Sequence, residues 1–508
     1  MKPITKNSSN RVRLNPILWV LGVPLVATSL LYLVSLNDVL LVQFILAFVL
    51  LLLPWRAYVS WRRGGVPALP VFALLSLMYW VYYALPLFLE DHVFSTYYER
   101  VGHELPQSTI TLALLMCVIG VCSLWLGMRS GLSRFIVPRT QLSLELTQSR
   151  LNYVRAVLII GSLVGMFVAP TRLAGESGRQ LVIIVVTGVP LLAFAILFRN
   201  LIRGESKFWD KVLVLGFLIT RLMEGLSSGW LGTATSVLLV CGAIYLMDLR
   251  RIPRWALVLV VLFTLFFQVG KQDFRRAYWN AGEQGVHQTE ESGAERAAFW
   301  VQTSLTKWSE SLSDPTGTDI RSALNPSVAR LSLLNQTANV IDLTPSVVPY
   351  QYGWLYSYMA VTLIPRFVWP DKPSMNEANQ YYQVAYRLTS ENDLGNVSIA
   401  VGFLTEGFIN FGWAGVVGIM FLVGVFFDFY QKTFLLKTSG ALMTGIGVIL
   451  LPNFVGVEMQ MAQYFGGILQ QILVTMIVML PIIRIQKLRS RSSDKSLGIL
   501  NVPLLTPK

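Results

Sequence analysis

Read for hydrophobic and polar positions, the chain falls into long apolar blocks parted by short basic or polar connections. The blocks run at about 16–36, 40–55, 69–89, 108–128, 152–169, 181–198, 211–226, 231–248 and 255–270, and again at about 412–431, 439–457 and 463–483. A block of roughly 17–22 residues is long enough to cross a hydrocarbon core of about 30 Å at 1.5 Å per residue. Only a helix satisfies its own backbone over such a span, and unbroken apolarity excludes an outer-membrane barrel, whose strands would alternate. The pattern therefore predicts an all-α, polytopic integral membrane protein with about twelve transmembrane helices.

The same pattern divides the chain. Residues 1–270 read as a membrane domain of about nine spans, 271–411 as a large loop region, 412–487 as three further spans and 488–508 as a disordered tail. The loop region is not uniform. Residues 282–325 are rich in Gly, Ser, Thr and Glu, as a mobile loop or short helices would be, whereas Tyr350 to Trp369 is apolar and aromatic. Counting 351–369 and 396–411 as re-entrant or interfacial helices keeps the parity of the spans intact.

Charge orients the picture. Arg56, Arg62 and Arg63, then Arg129 to Arg150, then Arg199 to Lys211, then Arg250 to Arg254 mark alternate connections, and the opposite connections are short or acidic. Of 41 Lys/Arg and 28 Asp/Glu, residues 271–395 hold 10 and 13, so this region is the translocated one and both termini are cytoplasmic. A hydrophobic share of 54% with 14% charged residues suits lipid and not water. The net charge of +13 is spread between the spans and not gathered on a soluble domain, so no nucleic-acid partner is expected. The N-terminus (Lys2 to Arg13, then Pro16 to Leu36) lacks a small-residue cleavage site and reads as a first span, not a signal peptide. Cys117, Cys122 and Cys241 lie inside apolar blocks. His92, His103 and His287 show no metal-ligand spacing, and no phosphate loop, nucleophile elbow or dinucleotide fingerprint stands in the right context.

Three strings carry candidate chemistry. Lys271-Gln272-Asp273-Phe274-Arg275-Arg276 puts cations at the external boundary of the ninth span, against the charge bias elsewhere. Guanidinium groups match phosphate oxygens in a fork, so an anion site is one reading; snorkelling to lipid phosphates or pairing with Asp273 is the other. Arg330 stands further along. Next, Ile364-Pro365-Arg366-Phe367-Val368-Trp369-Pro370-Asp371-Lys372-Pro373 sets three prolines around Arg366, Asp371 and Lys372, either to position substrate or as an elbow closed by an ion pair. Last, Glu406 sits in the apolar run Ser398 to Gly412, where a carboxylate is costly and is expected either to act as general base or to pair with an arginine. Glu458 and Glu224 are weaker versions of that argument.

These strings, with Tyr352-Gly353 and Glu406-Gly407-Phe408-Ile409-Asn410-Phe411-Gly412, resemble bacterial Wzy-type O-antigen and exopolysaccharide repeat-unit polymerases. The likeness covers mainly residues 260–430. It implies a GT-C-like glycosyltransferase of the inner membrane that joins oligosaccharide units from a polyprenyl-pyrophosphate carrier on the outer face, without metal or cofactor. Its partners would be that lipid-linked oligosaccharide, membrane lipids, and the flippase and chain-length regulator of the same pathway. Because a diphosphate leaving group needs preorganised positive charge, the residues expected to serve such a reaction are Glu406 and Arg366 as catalytic groups, with substrate contacts from Lys271, Arg275, Arg276, Arg330, Asp371, Lys372 and Asn410. An O-antigen ligase would share the topology and the donor. A polysaccharide flippase would place its charges near the midplane, often in two related halves.

Overall fold

The structure, a computed structural model, describes residues 16–64, 67–91, 105–138, 140–143, 147–167, 182–250, 254–278, 292–313, 318–364, 369, 371–374, 376–391, 394, 399, 401–436 and 440–487. Its helices in chain order are α1 (Pro16–Leu33), α2 (Leu41–Gly64), α3 (Val71–Leu89), α4 (Gln107–Arg129), α5 (Gln148–Phe167), α6 (Ile184–Ile202), α7 (Phe208–Ser228), α8 (Gly232–Leu249) and α9 (Arg254–Val269). Then follow α10 (Lys271–Tyr278), α11 (Gly293–Ser313), α12 (Thr318–Leu331), α13 (Leu334–Leu343), α14 (Trp354–Leu363) and α15 (Glu377–Ala385). The last three are α16 (Gly402–Phe434), α17 (Ala441–Val455) and α18 (Met461–Met479). Two short strands, β1 (Thr140–Ser143) and β2 (Arg484–Lys487), pair antiparallel with Thr140 opposite Lys487.

Every one of the twelve apolar blocks carries a helix. Among the described residues seven helices are long and apolar enough to cross a membrane, and an eighth counts if α9 and α10 are one bent span. The rest fall short for visible reasons. The apolar parts of α1 and α17 are short, Trp19–Leu33 and Ala441–Phe454. α5 opens on Arg150 and Arg155, and α7 carries Asp210, Lys211, Arg221 and Glu224.

Packing follows the rule for helices in lipid, where small residues let backbones meet. α4 lies along the C-terminal part of α16. A Cβ on Gly127 would fall 2.0 Å from the Phe421 carbonyl oxygen, and one on Gly424 would fall 2.2 Å from that of Leu124. Larger residues there would push the pair apart.

The basic connections gather at one end of the bundle. There β1 meets β2, Pro67 bridges Leu436, and Arg155 forks onto Asp210 at 2.6 and 3.0 Å. Arg199 and Arg203 share Asp248, and Arg250 stacks on the Trp61 ring. At the other end Asn325 accepts from the Asp91 backbone, Asn335 donates to Glu90, and Arg330 meets Glu458.

α16 is two helices. Phe411 (φ −142°, ψ 19°) and Gly412 (φ 61°, ψ −147°) leave helical geometry, and the left-handed φ at Gly412 suits a residue without Cβ. The chain doubles back so sharply there that a Cβ on Gly415 would lie 2.1 Å from the Gly407 carbonyl oxygen. In a straight helix those two residues, eight apart, would be about 12 Å from each other. Residues 402–410 thus form a short half-helix that turns back at its inner end, and the long apolar helix proper runs from 413 to 434.

Candidate functional site

The site is assembled at the end of the bundle away from the basic connections. α9 ends at Val269 and the chain turns by 52° into α10. Such a bend frees backbone carbonyls, which in a membrane need donors. α11 supplies them: the Trp300 indole N–H donates to Phe267 O at 2.9 Å and that of Trp308 to Phe266 O at 3.3 Å. Phe274, fully buried, plugs α10 between Trp300 and Tyr278. The bend is therefore a built joint that fixes which way the side chains of α10 face.

Lys271 and Arg275 stand one helical turn apart, on the same face of α10. Both are half-buried. Arg276 is 78% exposed and lies 3.7 Å from Asp273, which also holds Lys307 at 2.6 Å. From α12, Arg330 forks onto Glu458, in the loop between α17 and α18, at 3.0 and 3.4 Å. Burial first, and then repulsion from Arg275 and Arg330, pushes the Lys271 ammonium down to about 8, with Glu458 pulling the other way. The Arg275 guanidinium is lowered by burial and then by Arg330. Lys271, Arg275 and Arg330 thus stand close enough to repel one another, with Glu458 acting on Lys271 and paired to Arg330. Preorganised positive charge at a half-dry boundary is what a phosphate group needs.

One turn deeper the half-helix begins. Gly402 N–H donates to Glu458 O at 2.9 Å, so the loop and the half-helix are locked together. Glu406 is 1% exposed and its Oε2 accepts from Met461 N–H at 2.8 Å, capping α18 at its positive end. Its Oε1 and the amide of neighbouring Gln460 are buried with no hydrogen-bond partner among the described residues. Among the described residues no arginine pairs with Glu406, and Arg330 is paired with Glu458.

The remaining expected residues are spread more widely. Asn410, fully buried, donates to Glu406 O at 2.8 Å and accepts from Gly353 N–H at 3.0 Å, so it pins the Tyr352-Gly353 turn to the reversal in α16. Both ends of its amide are thus used within the fold. Lys372 Nζ donates to Ile364 O at 2.7 Å and Val361 O at 3.2 Å, closing the C-terminus of α14, and Asp371 is exposed. Arg366 lies outside the described residues, as do Pro365, Phe367, Val368 and Pro370. Among the described residues no group of three or more His, Cys, Asp or Glu side chains is arranged to hold a metal ion.

Sequence reasoning ranked Glu458 below Glu406. A signal was present: Glu458 is the one acid between Asp428 and Asp494, in a loop between two apolar helices.

A family model described as Domain of unknown function (DUF8712) matches residues 87–490. No curated protein and no solved structure matches the chain.

Proposed function

The chain belongs to the family of the Domain of unknown function (DUF8712), and we propose that it is a membrane glycosyltransferase that polymerises oligosaccharide repeat units taken from a polyprenyl-pyrophosphate carrier. The observation that carries this reading is the convergence of Lys271, Arg275 and Arg330 at one end of an apolar helical bundle. In the reading, all twelve helical blocks cross the inner membrane, both termini are cytoplasmic, and the cluster faces the outer side. A lipid diphosphate would present its headgroup at that depth, with its tail along the apolar helices. The acceptor hydroxyl oxygen attacks the anomeric carbon of the donor sugar and the bond to the phosphate oxygen breaks. The electron pair leaves on the carrier diphosphate, whose growing charge the three cations stabilise. Arg366, between its prolines, is proposed to add to the same field.

The test is the chain length of surface polysaccharide in cells deleted for the gene and complemented at matched membrane level. Wild type restores long chains. Loss of one such contact costs about 10²–10³ in rate, so Arg330→Ala and the Lys271→Ala/Arg275→Ala pair should leave capped single repeats. Accumulation of long lipid-linked polymer on deletion would point to a ligase. Wild-type chain lengths in both variants would end the proposal.

A further inference from the structure

We infer that Glu458 is the proton acceptor of the transfer reaction, held in reserve by Arg330 until the donor diphosphate takes that arginine away; this rests on the polymerase reading above. The argument starts from what Arg330 does at rest. Its guanidinium already forks onto a carboxylate, at 3.0 and 3.4 Å. A carboxylate and a phosphate offer a guanidinium the same pair of oxygens, so a diphosphate entering among Lys271, Arg275 and Arg330 competes with Glu458 for the fork. Arg330 is 56% exposed and has room to turn, while Glu458 is held by its own backbone, whose carbonyl accepts from Gly402 N–H. The arginine therefore moves and the carboxylate stays.

Once released, Glu458 is a carboxylate 22% exposed at the rim of the site, beside the anion it has just been exchanged for. The exchange frees both its oxygens, which the Arg330 fork had held, to accept from the acceptor hydroxyl. Glu406 is placed differently: it is 1% exposed, and the oxygen that has a partner caps α18. In the step, the acceptor O–H gives its proton to Glu458 and its oxygen bonds to the anomeric carbon. The bond from that carbon to phosphate breaks with its electron pair on oxygen, and the proton on Glu458 returns to the departing diphosphate or to water. Exchange also couples the two substrates, since the base is armed only when a donor is bound, which protects against proton loss in an empty site.

The experiment separates binding from turnover. Inorganic diphosphate is titrated calorimetrically into purified wild-type, Glu458→Gln and Arg330→Ala protein in lipid nanodiscs, and polymer length is read in complemented cells. Glu458→Gln removes the internal competitor and the base together. It is expected to bind diphosphate about 5-fold more tightly or better, yet to form polymer roughly 10²–10⁴-fold more slowly. Glu458→Gln that binds diphosphate more weakly than wild type would make Glu458 an organiser of the anion site, and wild-type polymer would leave it no role in proton transfer; either result overturns the inference. Arg330→Ala that binds diphosphate and polymerises like wild type overturns the polymerase reading itself. Glu458→Asp, which keeps the charge on a shorter arm, carries the same test if the glutamine variant fails to fold: normal binding with slowed polymer formation supports the assignment, and wild-type polymer overturns it.

Discussion

At the scale of single residues, the cluster behaves as charges held in a partly dry place. Lys271 is the sensitive member, because burial and two neighbouring guanidiniums lower its ammonium to about 8. Below that pH the group is a cation and helps bind an anion; above it the charge, and with it that share of affinity, is lost. Diphosphate affinity should therefore fall relative to a Lys271→Arg variant as pH rises from 7 to 9, because an arginine stays charged throughout. Comparing the two proteins at each pH cancels the ionisation of diphosphate itself, and a constant ratio would show that Lys271 does not titrate in this range. Glu406 makes a contrasting case. Glu406→Gln keeps an oxygen for Met461 N–H and should melt close to wild type, whereas Glu406→Ala leaves that N–H unpaired and should cost about 1–3 kcal/mol in detergent melts. The sequence showed that a carboxylate sits in this apolar run. It did not show which backbone group would claim it, because Met461 comes from a helix 55 residues away.

At the scale of elements, two joints do the positioning, and they were unequally legible. Residues 396–411 were expected to be re-entrant or interfacial, on the parity of the spans and on aromatic and polar content. The reversal itself depends on Gly407 and Gly415 meeting in space and on the left-handed φ of Gly412 between them, which spacing along the chain does not reveal. Gly415→Ala puts a methyl group against a backbone oxygen, and Gly412→Ala forces a left-handed φ on a residue with a Cβ. Each should cost about 1–3 kcal/mol, and both should shorten the polysaccharide by displacing the half-helix that holds Glu458. Unchanged melting in both would mean the turn is not tightly packed. The second joint was harder to read. Residues 282–325 read as a mobile loop or short helices, not as one 21-residue helix, because α11 buries its contacts through Ala297, Trp300, Ser304 and Ser311, and two serines in a helical stripe hide its periodicity. The indoles of Trp300 and Trp308 nonetheless close the bend after α9. Trp300→Phe should keep most of the packing and lose one buried hydrogen bond, about 1 kcal/mol.

At the scale of the whole molecule, charge along the chain was the best guide, because each apolar block had room for one helix and alternate connections carried an excess of basic residues. The connections rich in arginine come from four separate places in the sequence, and the fold brings their described parts to one end, where Gln141 stands opposite Gln486 and Arg155 grips Asp210. The loop region from α10 onward builds the other end. What composition left open was how many blocks cross, since α1 and α17 are short and α7 carries four charges. If the basic end is cytoplasmic, Ser149 at the start of α5 and Ser309 on α11 lie on opposite sides of the membrane, both exposed. Replacing Cys117, Cys122 and Cys241 by alanine and introducing Ser149→Cys or Ser309→Cys gives two single-cysteine proteins. A membrane-impermeant maleimide added to spheroplasts should label the second at once and the first only after the membrane is opened. The orientation follows from lysine and arginine being retained on the cytoplasmic side during insertion, so the result does not depend on the enzyme reading. Labelling of both positions from outside would require an odd number of crossings to be removed between 149 and 309. Labelling of Ser149→Cys alone would invert the molecule and put the Lys271, Arg275 and Arg330 cluster on the cytoplasmic face, where a carrier presenting finished repeat units would not meet it.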